Sequence, residues 1–290
     1  MEQNMPIRNI YFAIIVLSVF ITSCSLDKEE QIPSYVYIPS VSLQTTAGQG
    51  AATEKITEVW VYANDLLLGA YNLPATVPVL ESGDTKIEIF AGIKDNGIIT
   101  TPELYPMFET IIQTVNLVAA EIDTIVPVFS YKSNVKFAFV ESFESNQIFN
   151  FEVDGNLGTA LSSTSEEAKS GSRSGKINLT QTNNFIRVAN EIRLDELPTN
   201  GSAVYLEFDY KNDIQFSIGL IGYDPNVNDV SQLILTLREK EDWNKVYINL
   251  TTELQLSQLP TYRVLIDAML EEDAGATGNI YLDNIKLVYL

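Results

Sequence analysis

The sequence predicts an all-β protein made of two consecutive β-sandwich domains. Short runs of β-branched and aromatic residues recur along the chain, and Gly, Pro and Asn separate them at the positions where turns need these residues. No long segment carries the 3.6-residue period of an amphipathic helix. The pattern begins near Tyr35, and the residues before it have a different composition.

Residues 1–23 have the organisation of an export signal peptide. Residues 1–10 are weakly positive, and the apolar run over residues 10–21 is broken only by Ser18. This run is shorter than the roughly 20 apolar residues that span a bilayer. It fits the roughly 7 to 15 residues of a signal hydrophobic region. We therefore expect a cleaved signal peptide and not a membrane span.

The run Ile21-Thr22-Ser23-Cys24 resembles the lipobox of bacterial lipoproteins. The resemblance implies cleavage before Cys24 and lipidation of its thiol, with acyl chains such as palmitate as the anchor. Two or more chains anchor stably, because each buried methylene contributes about 0.8 kcal/mol. The alternative is an ordinary signal followed by a free thiol. Cys24 is the sole cysteine, which excludes an intrachain disulfide.

Residues 24–34 form a predicted acidic tether. The stretch Lys28-Glu29-Glu30 resembles the signal that moves lipoproteins to the outer face of the outer membrane. A solvated tether without any targeting role has the same composition. We expect a lipid-anchored protein of the outer membrane, exposed on the cell surface.

Residues 35–130 form the first predicted β-sandwich, with strands at residues 35–43, 56–63, 85–91 and 111–117 and turns at 47–53, 72–78, 82–84 and 95–97. The segment resembles transthyretin-like, carboxypeptidase-regulatory-like domains. Residues 59–62, Gly69, Leu73-Pro74 and the Asn96-Gly97 turn carry this likeness. The resemblance implies a spacer or docking module.

Residues 136–290 resemble the galactose-binding-like jelly roll of many carbohydrate-binding modules. The likeness rests on an opening strand at residues 137–143 followed by Glu144, a small-residue turn into a strand at 171–179, and an aromatic-led strand after Trp243. The chain closes on a strand at residues 280–285 with Asp283-Asn284 in its middle. The second sandwich is therefore expected to be a jelly roll.

In the second half of the chain, apolar and polar residues alternate along each predicted strand, which predicts that one face of each strand packs in the core. The opposite positions form a polar face with interleaved aromatics: Tyr205, Glu207, Asp209, Gln215, Ser217, Tyr247, Asn249, Arg263 and Asp267. Such a face suits a sugar, because a ring stacks on a pyranose while polar groups bond its hydroxyls. The solvated face of an ordinary antiparallel sheet looks the same. Trp243, Tyr247 and Arg263 are the predicted ligand-binding residues.

A structural calcium ion often joins the first and last strands in this jelly-roll family, and the resemblance assigns it to Glu144 and Asp283. Calcium needs about six to eight oxygen ligands. The alternative is that Asp283 caps a bulge. The loop at residues 224–229 begins like a calcium loop, but Asp229 stands where Gly is required and Leu235 where Glu is required.

The residue composition excludes several classes of catalytic and metal-binding chemistry. The chain has no histidine, so Ser-His-Asp and Cys-His catalysis and His-ligated zinc are unavailable. Glu207 and Asp209 could imitate a glycosidase pair, but neighbours at i and i+2 more often form the wet side of a strand. Acids outnumber bases 38 to 18, which argues against binding nucleic acid or anionic lipid. We expect a protein that is not an enzyme.

Two functions fit these observations. The favoured one is a non-catalytic accessory subunit that docks on an outer-membrane protein complex for nutrient uptake or assembly. It rests on the anchor, the regulatory-like domain and the missing catalytic residues. The alternative is a surface glycan-binding lipoprotein that uses its C-terminal jelly roll to hold a polysaccharide.

Overall fold

The computed structural model describes residues 30–98, 100, 102–145, 147–226 and 229–290. In this part of the chain, 21 strands and a short helix build two consecutive β-sandwiches, which confirms the predicted fold class. The predicted signal peptide and Cys24 lie outside the described residues, as does most of the tether. Within the described ranges, the helix falls well short of the length and hydropathy that a membrane crossing requires.

The first sandwich packs two small sheets against a larger one. One small sheet has the order β5-β1-β9, and the other pairs β2 with β10. The larger sheet has the order β4-β3-β6-β7, with β8 also paired to β6. In chain order these strands are β1 (Ser34–Ile38), β2 (Ser42–Gln44), β3 (Glu58–Ala63), β4 (Leu66–Asn72), β5 (Ala75–Val79), β6 (Gly83–Lys94), β7 (Pro102–Leu104), β8 (Ile111–Leu117), β9 (Ile122–Thr124) and β10 (Val128–Ser130).

The structure corrects two strand predictions in this half. The strand expected over residues 35–43 is interrupted after Ile38 and continues as β2. Residues 75–78, predicted as part of the turn at 72–78, belong to β5, whose Val77 and Val79 are buried. Pro78 is compatible with this strand because β5 lies at the edge of its sheet, where a missing N–H leaves no ladder bond unmade.

The second sandwich consists of two sheets, each built on a long strand near the middle. The first sheet has the order β13-β14-β21-β16-β19, with β11 also paired to β21, and the second has the order β12-β15-β20-β17-β18. In chain order the elements are β11 (Lys136–Glu141), β12 (Phe151–Glu152), β13 (Leu161–Thr164), β14 (Ser174–Thr180), β15 (Phe185–Ala189), β16 (Val204–Asn212), β17 (Phe216–Tyr223), β18 (Val230–Leu237), β19 (Lys240–Asn249), α1 (Thr251–Ser257), β20 (Thr261–Met269) and β21 (Thr277–Tyr289).

The core of the second sandwich follows the predicted alternation. Alternate residues of the two sheets point inward and form one buried cluster that includes Leu206, Phe208, Ile218, Val264 and Ile266. The first and last strands, β11 and β21, are neighbours in register from Lys136 opposite Tyr289 to Glu141 opposite Ile285. The opening and closing ends of this domain therefore meet in one sheet.

The two sandwiches share buried residues. The core of the first sandwich contains Tyr205, Tyr247 and Val288, which all come from outward positions of the second sandwich. The face of the sheet containing β16, β19 and β21 is therefore covered by the first sandwich. This contact decides which surfaces remain open to a ligand.

Candidate functional site

The polar face predicted as a ligand platform is for the most part buried at the junction of the two sandwiches. Tyr205, Glu207, Asp209 and Tyr247 are at most 4% exposed. Alternation placed them correctly on the outward side of their strands, but protein covers that side instead of water. The prediction of an accessible sugar platform on this face is corrected accordingly.

Aromatic packing fixes the two sandwiches to each other. The ring of Tyr105 lies 5.1 Å from that of Tyr205 and 4.9 Å from that of Tyr247. The Lys55 backbone N–H donates to the Tyr247 hydroxyl at 3.0 Å, and the Asn96 N–H donates to the Tyr247 carbonyl at 2.9 Å. Tyr247 is thus a structural residue of the junction.

The Asn96-Gly97 turn gives this contact its geometry. Both residues have positive φ, 53° and 71°, which Asn and Gly adopt with little strain. The turn directs the Asn96 side chain toward β19, where its Oδ1 accepts the Asn249 N–H at 2.9 Å. A turn recognisable in the sequence therefore positions an interdomain bond.

A cluster of buried charges lies beneath the junction. The Tyr131 hydroxyl lies 2.9 Å from both carboxylate oxygens of Glu207, and the Tyr105 hydroxyl donates to Glu207 Oε1. Lys245 Nζ is 3.6 Å from Glu207 Oε2. Burial and the charge of Glu207 raise the pKa values of Tyr105 and Tyr131 well above the usual range, so both hydroxyls stay protonated donors.

Asp209 and Lys286 extend the cluster. Thr53 donates to Asp209 Oδ2 at 2.7 Å, Asn284 donates to the same oxygen at 3.0 Å, and Lys286 Nζ donates to the Ala51 carbonyl at 2.7 Å. Burial lowers the pKa of Lys286 to about 8. Glu207 and Asp209 therefore bind protein groups under the first sandwich, which does not fit a glycosidase pair open to substrate.

The three predicted ligand residues do not form one site. Trp243 and Tyr247 both lie on β19, about 13 Å apart along the strand, and only Trp243 is partly exposed. Arg263 lies on β20, in the other sheet of the sandwich. Its guanidinium stacks over Phe151 at 3.9 Å and donates to the carbonyls of Asn190 and Glu191. Sequence alternation could not show that the strands belong to opposite sheets.

The two predicted calcium ligands bind the same loop. Glu144 Oε1 accepts the N–H groups of Ser172 at 2.6 Å and Arg173 at 2.8 Å. Asp283 Oδ2 accepts the N–H groups of Lys169 and Ser170, both at 3.0 Å. Each carboxylate thus accepts hydrogen bonds from backbone N–H groups of the loop at residues 169–173.

These contacts do not fit a calcium ion at Glu144 and Asp283. Among the described residues, no three acidic, cysteine or histidine side chains converge. The ladder between β16 and β21 shifts register beside Asp283, and its Oδ1 accepts the Asn284 N–H at 2.7 Å. Asp283 therefore caps a bulge, and burial raises its pKa to about 6. For the loop at 224–229, the described contacts are those of a local turn, with Asn226 donating to Asp224.

A cleft of about 510 Å³ opens where the sandwiches meet, and we call it the junction cleft. It lies beside β18 and β19, the edge strands of the two sheets of the second sandwich. The first sandwich contributes Lys55, Thr57, Lys94, Asn96 and Gly97. Its volume falls in the range of about 300–1,000 Å³ that is typical of ligand pockets, which often form at domain interfaces.

The lining of the junction cleft combines hydrogen-bonding groups with apolar surface. Thr57, Asn96, Thr236 and Asn244 supply hydroxyl and amide groups, and Leu237 and Val246 supply buried apolar side chains. Its charged lining residues are all basic: Lys55, Lys94, Arg238, Lys240 and Lys245. No sequence motif marks this site, because its residues come from four separate segments.

The first sandwich carries an aromatic face on the outward side of its larger sheet. Trp60, Tyr62 and Phe90, which we call the aromatic face, occupy the outward side of β3 and β6 and are half-buried. Trp60 stands opposite Phe90, and the Tyr62 and Phe90 rings are 5.3 Å apart. Lys94 is on the same side of β6 as Phe90, about 13 Å along the strand, and it lines the cleft.

No family model matches the sequence, and no curated protein matches it. Solved structures that align with about half of the chain include carbohydrate-binding modules. One is the CBM22-1 xylan-binding domain from Paenibacillus barcinonensis Xyn10C, with 14% identity over 53% of this chain and 94% of that chain and a TM-score of 0.38.

Two family 30 carbohydrate-binding modules align in a similar way. One has 16% identity over 54% of this chain and 88% of that chain, with a TM-score of 0.39. The other, from the cellulosomal cellulase Cel9D-Cel44B of Clostridium thermocellum, has 17% identity over 53% of this chain and 96% of that chain, with a TM-score of 0.38.

Proposed function

We propose that this protein is a non-catalytic, surface-exposed lipoprotein that binds a polysaccharide at the junction of its two sandwiches. The observation that carries the proposal is the junction cleft, with its hydroxyl, amide and cationic groups beside apolar surface. A saccharide presents the same mixture, since its hydroxyls need hydrogen bonds and its ring faces are apolar. The aromatic face, whose Phe90 is about 13 Å from Lys94 along β6, would extend this surface for a longer chain.

The buried junction supports a rigid site. Hydrogen bonds from Asn96 and Lys55 to Tyr247 join the two walls of the cleft. A preformed site avoids the ordering cost that a flexible linker between two domains would add to binding. The first sandwich thus serves as one wall of the site, which goes beyond the spacer role that the regulatory-like resemblance implies.

The predicted lipid anchor gives the proposed function its cellular location. Lipidation at Cys24 and display on the outer membrane follow from the lipobox resemblance and the acidic tether. The absence of histidine and the burial of Glu207 and Asp209 favour a binding role over a hydrolytic one. The protein would retain a polysaccharide at the cell surface for other components to process or import.

A blocked cleft tests this function. Thr236 is exposed on β18 and lines the cleft, so Thr236→Trp places an indole in it. Gln232→Trp is the matched control, because Gln232 is exposed on the same strand outside the cleft. Calorimetry of the full-length protein in mild detergent against soluble polysaccharides should show binding that Thr236→Trp weakens at least tenfold. Equal affinity in both variants, or no binding to any polysaccharide, would refute the proposal.

Docking on an outer-membrane protein complex is the second candidate function. Four apolar side chains between residues 118 and 128 are 45% to 63% exposed: Val118, Ile122, Val126 and Val128. Contiguous exposed apolar patches often mark protein contacts, and these four residues are close together in sequence. A pull-down in mild detergent through a tag at Leu290 should then recover a stoichiometric membrane protein. Recovery of the protein alone would count against this candidate.

A further inference from the structure

The distribution of charge around the junction cleft is unusual for this chain. Acids outnumber bases 38 to 18 overall, yet five of the 18 bases line this one cleft. Among the described residues that line it, none is acidic. The cleft is therefore a local concentration of positive charge on an acidic protein.

Two of the five cations have a carboxylate partner. Lys94 Nζ lies 2.8 Å from Glu58 Oε2, and Lys245 Nζ lies 3.6 Å from Glu207 Oε2. Lys55, Arg238 and Lys240 make no ion pair with any described residue. The Lys55 ammonium donates instead to the neutral amide oxygen of Asn244.

Lys55 and Lys240 repel each other across the domain boundary. Desolvation and the positive charge of Lys240 lower the pKa of Lys55. Glu239 and Glu241 flank Lys240 in sequence and line a second cleft of about 250 Å³, which Lys240 also lines. Neither acid lines the junction cleft. An anion in the junction cleft would relieve the repulsion between the two lysines, while a neutral ligand would leave it in place.

We infer that the junction cleft takes an acidic polysaccharide, with a carboxylate or sulfate group of the sugar chain bound between Lys55, Arg238 and Lys240. This inference rests on the proposed function and specifies the ligand class for the same site. Hydrogen bonds between charged partners are stronger than neutral ones. The cationic residues thus select the acidic sugar, and Thr57, Asn96 and Thr236 are placed to contact its hydroxyls.

The net charge of −20 does not prevent an acidic polysaccharide from binding in the cleft, because electrostatic repulsion is screened over distance. At physiological ionic strength the Debye length is about 8 Å, so distant surface acids are largely screened from a ligand inside the cleft. Contacts within the cleft are shorter than this. The acid excess instead disfavours adsorption of a polyanion elsewhere on the surface.

The test compares matched ligands on the full-length protein in mild detergent. Polygalacturonate and its fully methyl-esterified form share a backbone and differ in charge. Dextran sulfate and dextran provide the sulfate arm. We expect one acidic polymer to bind at least tenfold more tightly than its neutral partner, and which one binds identifies the anionic group.

Two double variants locate the effect. Lys55→Gln/Lys240→Gln should weaken binding of the acidic polymer at least tenfold, because each lost charged hydrogen bond is typically equivalent to about tenfold or more. Lys136→Gln/Lys169→Gln changes the net charge equally at exposed residues outside the cleft and should leave the affinity within about twofold. As a second readout, bound acidic polymer should protect Lys55 and Lys240 from acetylation, measured by mass spectrometry.

The outcomes separate this inference from the proposed function. Equal binding of charged and neutral polymers that Thr236→Trp abolishes would overturn the acidic ligand and keep the glycan site. Equal loss of binding in both double variants, or no protection of Lys55 and Lys240, would also overturn the inference, since it would indicate non-specific attraction. No binding to any polymer would refute both.

Discussion

Replacing Glu207 with Gln should destabilise the protein strongly, because Glu207 is the fully buried acid of the interdomain charge cluster. The side chain is 0% exposed and accepts hydrogen bonds from Tyr105 and Tyr131, with Lys245 nearby. Glu207→Gln keeps the shape but removes the charge, which leaves Lys245 and Lys286 buried near a single acid, Asp209. Breaking a buried ion pair in this way costs about 3–5 kcal/mol.

Urea denaturation of a soluble form, residues 31–290, measures this loss. With a slope of about 3 kcal/mol per M, the midpoint should fall by roughly 1–2 M. Glu121→Gln makes the same chemical change at an exposed residue and should stay within about 0.5 kcal/mol of the wild type. Tyr131→Phe removes one donor to the carboxylate and should cost about 1.5–3 kcal/mol.

A double-mutant cycle completes the test. If Glu207 and Tyr131 act as one unit, the double variant should lose less stability than the sum of the losses in the two single variants, with a coupling energy of about 0.5–3 kcal/mol. A loss below 1 kcal/mol for Glu207→Gln, or strictly additive losses, would refute the assignment of the charge cluster to the stability of the junction.

Three further predictions concern single features. The pKa of Lys286 is lowered from 10.5 to about 8 in the folded protein, so the free-energy cost of burying its charge is full at pH 7 and fades as the pH rises from 8 to 10.5. Relative to Lys286→Met, the wild type should therefore gain about 2 kcal/mol of stability between pH 7 and pH 9.5 in urea denaturation. Parallel pH profiles of the two proteins would contradict this. An added Cβ at Gly219 would lie 2.4 Å from the Gln232 carbonyl oxygen, so Gly219→Ala should lower stability by about 1–3 kcal/mol. Gly155 has open space around it but a φ of 80°, so Gly155→Ala should lower stability less, through backbone strain alone. Because Glu144 and Asp283 bind backbone N–H groups, a chelator or added calcium should leave the melting temperature unchanged, and a calcium-dependent rise of several degrees would show that a cation binds.

The sequence carried enough information for the cores but not for the site. Alternation identified Leu206, Phe208, Ile218 and Val264 as inward residues, because the period of two depends only on neighbouring positions. It also placed Glu207 and Tyr247 on the outward side. Whether water or protein covers an outward polar face depends on residues such as Thr53, which is 156 positions away from its partner Asp209.

The junction cleft could not be predicted from the sequence for the same reason. Its cations come from positions 55, 94, 238, 240 and 245, and the composition suggested only a diffuse excess of acid. The strand Ala75–Val79 was missed because Pro74 and Pro78 resemble turn residues. The calcium assignment depended on two carboxylates, and the sequence could not reveal the Lys169–Arg173 backbone that binds them.

The most direct test of the account is amide hydrogen exchange of the full-length protein with and without a saturating polysaccharide. We predict that bound polysaccharide protects residues 55–57, 94–97 and 235–247, on both walls of the junction cleft. Protection confined to the outer face of β15, β17 and β20, with the cleft unchanged, would contradict the account.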